Sequence, residues 1–317
     1  MAKDKLLMNF DLTGMEAFAK SNGQELITDL IEQSSLFDAG NGLRVIAGVQ
    51  SSDKFADISD DFTYVQATGG DPSSISASGG TSLADLTITV TELGIKEKYT
   101  KGTLLSKIAQ MKLPAGSDPS NALPYTDILV GLKGKKLAMI NELNYWQGNN
   151  TGSTYTQFSG IIKLAIDGGA LSGSSTGVTV ANALTHMATI VGDIQTNFET
   201  WITEGAYIYM NPKAFQNYRT AVFGLNSVID KQTVDGGVVK DMMVPGTNFK
   251  VISTPGLTGI DNIIVTRENN FVVGTDLQSE TDDLKFEYLN EGEYWRLTAY
   301  YKLGAQICRP TEVYITA

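Results

Sequence analysis

His186 is the only histidine in this chain of 317 residues, so acid-base chemistry that depends on an imidazole has a single candidate. A metal site with two imidazole ligands is impossible for the same reason. His186 lies beside Met187 in a segment of helical periodicity, and the sequence supplies no partner that would orient its ring. These features favour a surface or boundary residue over a catalytic base.

One match to the Gly-x-Ser-x-Gly motif of serine hydrolases occurs at residues 173–177, with Ser175 in the nucleophile position. A nucleophile elbow needs a strand directly before the motif and a helix directly after it, and neither flank predicts one. His186 follows too soon after Ser175 to leave room for an acid and a strand between them. A serine hydrolase using Ser175 and His186 is therefore a weak alternative.

Other chemical motifs are missing from the sequence. It contains no Walker A loop, dinucleotide-binding glycine motif or Cys-x-x-Cys pair, so we predict no cofactor and no metal. Acidic pairs such as Asp60 and Asp61 lack the spacing of a calcium loop and are interpreted as solvated turns. The lysines at 133, 135 and 136 form a basic patch, which is either a solvated face or a docking strip for acidic residues of a neighbouring subunit. We predict that the protein is not an enzyme.

Composition excludes several classes of protein. A formal net charge of −11 argues against free nucleic acid as a ligand, although a shell that encloses DNA without adhering to it is compatible with this charge. The single cysteine, Cys308, excludes a disulfide scaffold. No apolar stretch approaches the ~18 residues of a membrane-spanning helix, and the apolar run near the N-terminus is too short for a signal peptide. Charged residues make up 19% of the chain, below the ~25% usual for soluble domains, which indicates that much of the surface faces other protein.

The first hundred residues predict an arm followed by a long loop. Residues 14–36 predict a helix with a thin apolar stripe that includes Phe18, Leu26 and Leu30. A short strand is predicted at 62–65, a Gly/Ser-rich stretch covers 69–82, and period-two alternation predicts a returning strand at 86–91. In that strand Leu86, Ile88 and Val90 share one face, and threonines occupy the other.

The rest of the chain alternates helices and strands. A long, incompletely buried helix is predicted near 126–147, with its apolar positions at Ile128, Leu132, Ile140, Leu143 and Trp146. An amphipathic helix follows over 184–201, then a strand at 206–210 and a second helix opened by Asn211 and Pro212. Asp235 and Gly236 lie at the tip of a predicted hairpin. Strands are predicted at 249–252, 263–265, 271–273, 284–288, 294–301, 305–307 and 313–315.

Three stretches of sequence carry a family resemblance. Glu-Leu-Asn-Tyr-Trp-Gln-Gly-Asn-Asn at 142–150 runs into Phe-Ser-Gly-Ile-Ile at 158–162. The second stretch is Ala-Tyr-Ile-Tyr-Met-Asn-Pro-Lys-Ala-Phe at 206–215, and the third is the ending Gly-Ala-Gln-Ile-Cys-Arg-Pro-Thr-Glu-Val-Tyr at 304–314. Together with the order of parts, they resemble the major capsid proteins of tailed bacteriophages, which share the Hong Kong 97-like (HK97-like) fold.

The resemblance implies an α+β fold and assigns each part of that fold to a range of residues. It implies an N-terminal arm over 1–48, an extended E-loop over 49–103, and an axial α+β domain over 181–265. A peripheral domain, with a spine helix at about 126–147 and long strands, would combine 104–180 with 266–317. Ten residues of these parts are candidates for contacts between subunits: Phe18, Leu26, Leu30, Leu86, Ile88, Val90, Lys133, Lys136, Asp235 and Gly236.

The function that the resemblance implies is structural. Copies of the chain would assemble as pentamers and hexamers into an icosahedral shell around double-stranded DNA, which is packaged without sequence-specific binding. The short arm suggests a separate scaffolding protein, and a portal would be a further partner; no membrane is involved. The protein would be assembled in the bacterial host cytoplasm and reside in the virion capsid. An encapsulin-like compartment that encloses cargo enzymes is the alternative within the same fold.

Overall fold

The computed structural model describes residues 34–61, 80–100, 123–174, 177–224, 232–235, 238–276, 284–289 and 294–316. The helix predicted over 14–36 lies almost entirely outside these residues, and so does the strand predicted at 62–65. The candidate residues Phe18, Leu26, Leu30, Ser175 and Gly236 lie outside them as well.

The helices and strands of the described residues are labelled in chain order. The helices are α1 (Leu123–Gln147), α2 (Ile161–Asp167), α3 (Ala183–Asn197), α4 (Trp201–Glu204) and α5 (Pro212–Phe223). The strands are β1 (Arg44–Ile46), β2 (Ser52–Asp61), β3 (Gly80–Thr89), β4 (Thr91–Thr100), β5 (Leu171–Gly173), β6 (Ala206–Met210), β7 (Gln232–Asp235), β8 (Val238–Met243), β9 (Phe249–Ser253), β10 (Ile264–Thr266), β11 (Phe271–Thr275), β12 (Leu284–Leu289), β13 (Tyr294–Ile307) and β14 (Val313–Thr316).

A seven-stranded sheet in the order β5-β14-β10-β6-β9-β8-β7 forms the centre of one half of the molecule. Helices α3 and α5 cover one of its faces, and α1, α2 and a second sheet pack on the other. Burial on both faces explains why β6 and β10 are nearly continuous apolar runs instead of alternating ones. The predicted hairpin around Asp235 is present, since β7 pairs antiparallel with β8.

The local sequence determines where the helices that cover this sheet begin and end. The side chain of Asn211 caps α5 by accepting a hydrogen bond from the backbone N–H of Ala214 at 2.6 Å, and Pro212 occupies the first turn, as predicted. The helix predicted over 184–201 is interrupted at Phe198, which forms the C-cap of α3. Trp201 then begins α4, and its ring stacks on that of Phe198 at 4.2 Å.

The second sheet is five-stranded and runs in the order β1-β11-β13-β12, with β4 paired along the opposite edge of β13. The segments predicted as separate strands at 294–301 and 305–307 form one strand, the 14-residue β13. This strand pairs with β12 over its first half and with β11 over its second. β13 therefore pairs directly with every other strand of this sheet except β1, which pairs with β11.

Candidate assembly surfaces

A long two-stranded hairpin projects from the five-stranded sheet, within the range 49–103 that was predicted to form the E-loop. Strands β2 and β3 pair antiparallel over ten residues each, from Ser52 opposite Thr89 to Asp61 opposite Gly80. The outgoing strand therefore begins at Ser52, well before the predicted 62–65. At about 3.3 Å per residue, the paired part is roughly 33 Å long.

The base of the hairpin is anchored in a small apolar cluster. Val49, Ile88, Val90 and Val272 are buried there, and Phe55 packs against them. The predicted alternation is confirmed, since Ile88 and Val90 point into the subunit while Thr87 and Thr89 are exposed. Of the three apolar contact candidates in this segment, Leu86 is partly exposed, whereas Ile88 and Val90 are buried.

Gly304 sets how closely the hairpin approaches β13. A methyl group at this position would collide with the backbone carbonyl of Thr89 at the end of β3. We expect Gly304→Ala to lower the free energy of unfolding by about 1–3 kcal/mol, because the backbone of one strand must move. Chemical denaturation of the unassembled subunit measures this loss.

Gly192 supplies the matched control for Gly304→Ala. It lies inside α3, and no atom would come within 4 Å of an added methyl group. Gly192→Ala is expected to stabilise the subunit by about 0.5–1 kcal/mol, because alanine favours a helix interior. Equal effects at the two glycines would contradict the close approach of β3 to β13.

The long helix α1 buries a different face from the predicted one. Its buried side chains include Leu137, Asn141 and Asn144, whereas Ile140, a predicted apolar-face residue, is 37% exposed. Trp146 is buried as predicted, at 1% exposure. Two of the buried polar atoms have partners: Asn141 Oδ1 accepts a hydrogen bond from the Tyr301 hydroxyl of β13 at 2.6 Å, and Asn144 Nδ2 donates to the carbonyl of Ile140 in the same helix at 3.0 Å.

Two of the lysines in the predicted basic patch of α1 remain available to a partner. Lys135 and Lys136 are exposed, and Met139 beside them is 43% exposed. Lys133 instead forms an ion pair with Glu97 of β4 within the same subunit. Burial alone would raise the pKa of Glu97, but hydrogen bonds from Lys133 and Tyr99 and the lysine charge outweigh it, so this pKa lies below its ordinary value.

The chain that leads out of the predicted arm is fixed to α1. Glu142, which is 4% exposed, accepts a hydrogen bond from the backbone N–H of Ser35 at 2.7 Å and another from the Ser34 hydroxyl at 3.3 Å. Ser34 precedes a 3-10 helix at Ser35–Phe37. This part of the predicted arm therefore belongs to the body of the subunit.

The next turn of the same segment is fixed to the seven-stranded sheet. A second 3-10 helix at Ala39–Asn41 receives a hydrogen bond from the Tyr209 hydroxyl to the carbonyl of Asn41 at 2.6 Å. Lys250 donates to the carbonyl of Gly40 at 2.8 Å. The segment thus connects α1 with the seven-stranded sheet.

The face of β4 and β13 that points away from α1 is partly exposed and carries cations over aromatic rings. Lys98 Nζ lies 4.1 Å from the centroid of the Tyr294 ring, and Lys96 Nζ lies 5.6 Å from that of Tyr300. The Tyr300 ring packs over the backbone of Gly94, where a larger residue would displace it. We call the surface formed by Lys96, Lys98, Tyr294 and Tyr300 the basic face.

Neither the hydrolase motif nor the lone histidine forms a described site. A short strand, β5, does precede the motif, contrary to the prediction, but α3 begins only at Ala183. His186 is half-buried, in agreement with the boundary position predicted, and burial lowers its pKa below the ordinary value.

In the described ranges, no three His, Cys, Asp or Glu side chains are grouped to hold a metal ion. None of the helices in the same ranges combines the length and the apolar content of a membrane crossing.

Comparison with known proteins gives structural matches only. No protein-family model matches the sequence, and no curated protein matches it. The satellite phage P4 procapsid, including size determination (Sid) protein, aligns with a TM-score of 0.56 at 10% identity, covering 93% of this chain and 90% of that chain.

Two further structures match at similar levels. The capsid of the empty GTA particle aligns with a TM-score of 0.52 at 13% identity, over 86% of this chain and 87% of that chain. The capsid of Myoviridae phage XM1 aligns with a TM-score of 0.51 at 12% identity, over 89% and 92%. At these identities the likeness concerns the fold, and it extends over most of each chain. The chain therefore has the α+β HK97-like fold that the order of its parts suggested.

Proposed function

We propose that this chain is the major capsid protein of a tailed phage. In this proposal, copies assemble through pentamers and hexamers into the icosahedral shell that encloses double-stranded DNA. The fold is that of capsid structures, and the observation that carries the proposal beyond the fold is the projecting β2–β3 hairpin.

The hairpin is poorly suited to a protein that works alone. A two-stranded ribbon is at best marginally stable in water, and its edges present unpaired N–H and C=O groups. Its base packs in a core cluster through Phe55, Ile88 and Val90. Neighbouring copies of the chain would cover the remainder and so remove the exposed edges.

The partners follow from the same proposal. Packaged DNA would be held without sequence-specific contacts, since the net charge of −11 disfavours adhesion of nucleic acid to the shell. A separate scaffolding protein and a portal complete the proposed set of partners. The matching P4 procapsid contains a size determination protein, which supports an accessory assembly protein in general terms.

The proposed role needs no catalysis and no cofactor. The protein would assemble in the bacterial host cytoplasm and become part of the virion capsid. Its contacts between copies are individually modest, and their number gives the shell its stability.

Electron microscopy of the full chain tests this function. We expect the purified protein to form capsomers or closed shells with pentameric and hexameric units, and DNA-filled heads in particles from the native source. A stable 34.1 kDa monomer at high concentration would contradict the proposal. Shells filled with protein cargo instead of DNA would indicate the encapsulin-like alternative.

A further inference from the structure

We propose that a structural water molecule is bound where α1 meets residues 34–36 and the chain that follows β9. Glu142 and Trp146 of α1 and Thr254 hold it. The inference is carried by three buried polar atoms, one on each of these side chains, that have no protein partner among the described residues. It goes beyond the proposed assembly function and does not depend on it, because the site lies within one subunit.

The three side chains are almost completely removed from solvent. Glu142 is 4% exposed, Thr254 is 3% exposed and Trp146 is 1% exposed. Within the described ranges, Glu142 Oε2, Thr254 Oγ1 and Trp146 Nε1 make no hydrogen bond to protein. A buried polar atom without a partner destabilises the folded state, so such atoms are rare and commonly bond to ordered water.

The helix brings the side chains of Glu142 and Trp146 together. They are four residues apart, and helical side chains point toward the N-terminus, so the Trp146 side chain leans toward that of Glu142. The turn at Gly256 packs against both residues. A methyl group on Gly256 would lie 2.3 Å from Trp146 Cδ1 and 2.5 Å from the carbonyl oxygen of Glu142. Since Cδ1 is bonded to Nε1 in the indole ring, the indole N–H lies beside this turn.

Thr254 faces the same region from the seven-stranded sheet. Its backbone is extended, with φ −112° and ψ 107°, and continues the course of β9. Its side chain therefore lies on the same face of the sheet as that of Ile252, two residues earlier. Ile252 packs in the core cluster that contains Trp146. The Thr254 hydroxyl is thus on the side of the sheet that α1 covers.

The carboxyl group of Glu142 already uses its other oxygen. Oε1 accepts hydrogen bonds from the backbone N–H of Ser35 at 2.7 Å and from the Ser34 hydroxyl at 3.3 Å. Among the residues that the structure describes, no lysine or arginine forms an ion pair with Glu142. Oε2 is therefore available to a further donor.

The three atoms match the hydrogen-bonding capacity of water. A carboxylate oxygen accepts, an indole N–H donates, and a hydroxyl does both. One water molecule can accept from Trp146 and donate to Glu142 and Thr254, which is the usual total of about three bonds for a buried water. The indole N–H disfavours a metal cation, and the carboxylate disfavours an anion. The close packing around Gly256 excludes a larger ligand.

The water joins three parts of the subunit that are distant in sequence. It completes the hydrogen bonds of the carboxyl group that fixes Ser34 and Ser35, and it links that group to the chain after β9. Bonds through an ordered water are nearly as favourable as direct ones. Removing one partner should therefore weaken the contacts of the other two.

A high-resolution map of the full chain, in which ordered solvent is visible, tests the site directly. We expect a solvent peak within about 2.6–3.2 Å of Glu142 Oε2, Trp146 Nε1 and Thr254 Oγ1. In solution, the isotope-labelled subunit should show a magnetisation-transfer cross peak between water and the indole proton of Trp146, assigned by its loss in Trp146→Phe. A map that shows no peak there, or that shows the three atoms bonded to other groups of the chain, overturns the inference.

The sign of the effect of Thr254→Val gives a second test. Valine has nearly the shape of threonine but lacks the hydroxyl. If Oγ1 had no partner at all, its removal would raise the melting temperature, because an unsatisfied buried group disappears. With the water bound, we expect the melting temperature to fall by about 2–4 °C, because the water loses a partner. A rise would overturn the inference.

Combining Thr254→Val with Glu142→Gln shows whether the two side chains share the water. The double variant should lose clearly less melting temperature than the sum of the two single losses, since the first substitution already disturbs the water. Thr298→Val is the matched control. Thr298 is also buried with an unpartnered hydroxyl among the described residues, but alternation along β13 places it on the opposite face from Tyr301, which bonds to α1. Its effect should simply add to that of Glu142→Gln, and additivity in both pairs would overturn the shared site.

Discussion

Replacing Trp146 with alanine is expected to lower the free energy of unfolding of the subunit by about 3–5 kcal/mol. The Trp146 ring is 1% exposed and lies 4.9 Å from the Tyr209 ring of the seven-stranded sheet and 5.8 Å from the Phe271 ring of the five-stranded sheet. It therefore fills the space where α1 meets both sheets. Its removal leaves a cavity that three separate elements would have to close.

Denaturant unfolding of the unassembled subunit measures this effect, and Met139→Ala is the control. Met139 lies on the same helix but on its exposed side, so this variant should stay within about 0.5 kcal/mol of the wild type. Within the part of the chain that the structure describes, the indole N–H of Trp146 has no hydrogen-bond partner, so the loss in Trp146→Ala comes chiefly from packing. Similar losses of unfolding free energy in both variants would contradict the burial of Trp146 and the exposure of Met139 on α1.

Shortening the β2–β3 hairpin is expected to abolish shell formation while the subunit still folds. Replacing residues 57–84 with Asn-Gly joins Ala56 and Asp85, which are paired in the ladder, through a two-residue turn of the type that hairpins favour. Phe55, Ile88 and Val90 remain, so the anchoring cluster is intact. The melting temperature should change little, and particles should disappear from negative-stain images.

Mixing gives the shortened chain a second readout. Such a copy lacks the hairpin but keeps the rest of its surface, so it should accept a neighbour and offer no hairpin to the next. Adding it to full-length chain should therefore reduce the yield of particles more than simple dilution does. Normal particles from the shortened chain alone would contradict the role of the hairpin in assembly.

The elements that local chemistry specifies could be predicted from the sequence. Helix α5 is an example, since Asn211 caps it, Pro212 opens it, and the spacing of Phe215, Tyr218 and Val222 marks its buried face. The strand at 86–91 was recognisable because a strict alternation of Thr with Leu, Ile and Val reports a half-buried surface. Both signals are complete within a few residues.

The elements that distant partners specify could not be predicted in the same way. Strand β2 is rich in aspartate and lacks alternation, and it is a strand because β3 supplies its ladder. On α1, sequence periodicity predicted Ile140 at the core, but Asn141 and Glu142 are buried instead. Their hydrogen bonds come from Tyr301 and Ser35, more than a hundred residues away along the chain.

In the candidate assembly surfaces, too, the sequence revealed what neighbouring residues specify but not what distant partners specify. The lysines of α1 were recognisable as a cluster, but the sequence did not reveal that Lys133 is held by Glu97. Lys96 and Lys98 were not recognised as a surface, because their rings come from Tyr300 and Tyr294 on β13. Only the register of β4 with β13 brings these four side chains together.

That register has a mechanical consequence. Strands β4 and β13 are paired over ten successive positions, from Thr91 opposite Leu303 to Thr100 opposite Tyr294. A pull on the hairpin along its own axis is directed along β4, perpendicular to the interstrand hydrogen bonds. The ladder is then loaded in shear, so its bonds share the tension and must rupture together instead of unzipping one after another. Tension applied along the hairpin is therefore resisted by all ten pairs of the ladder at once.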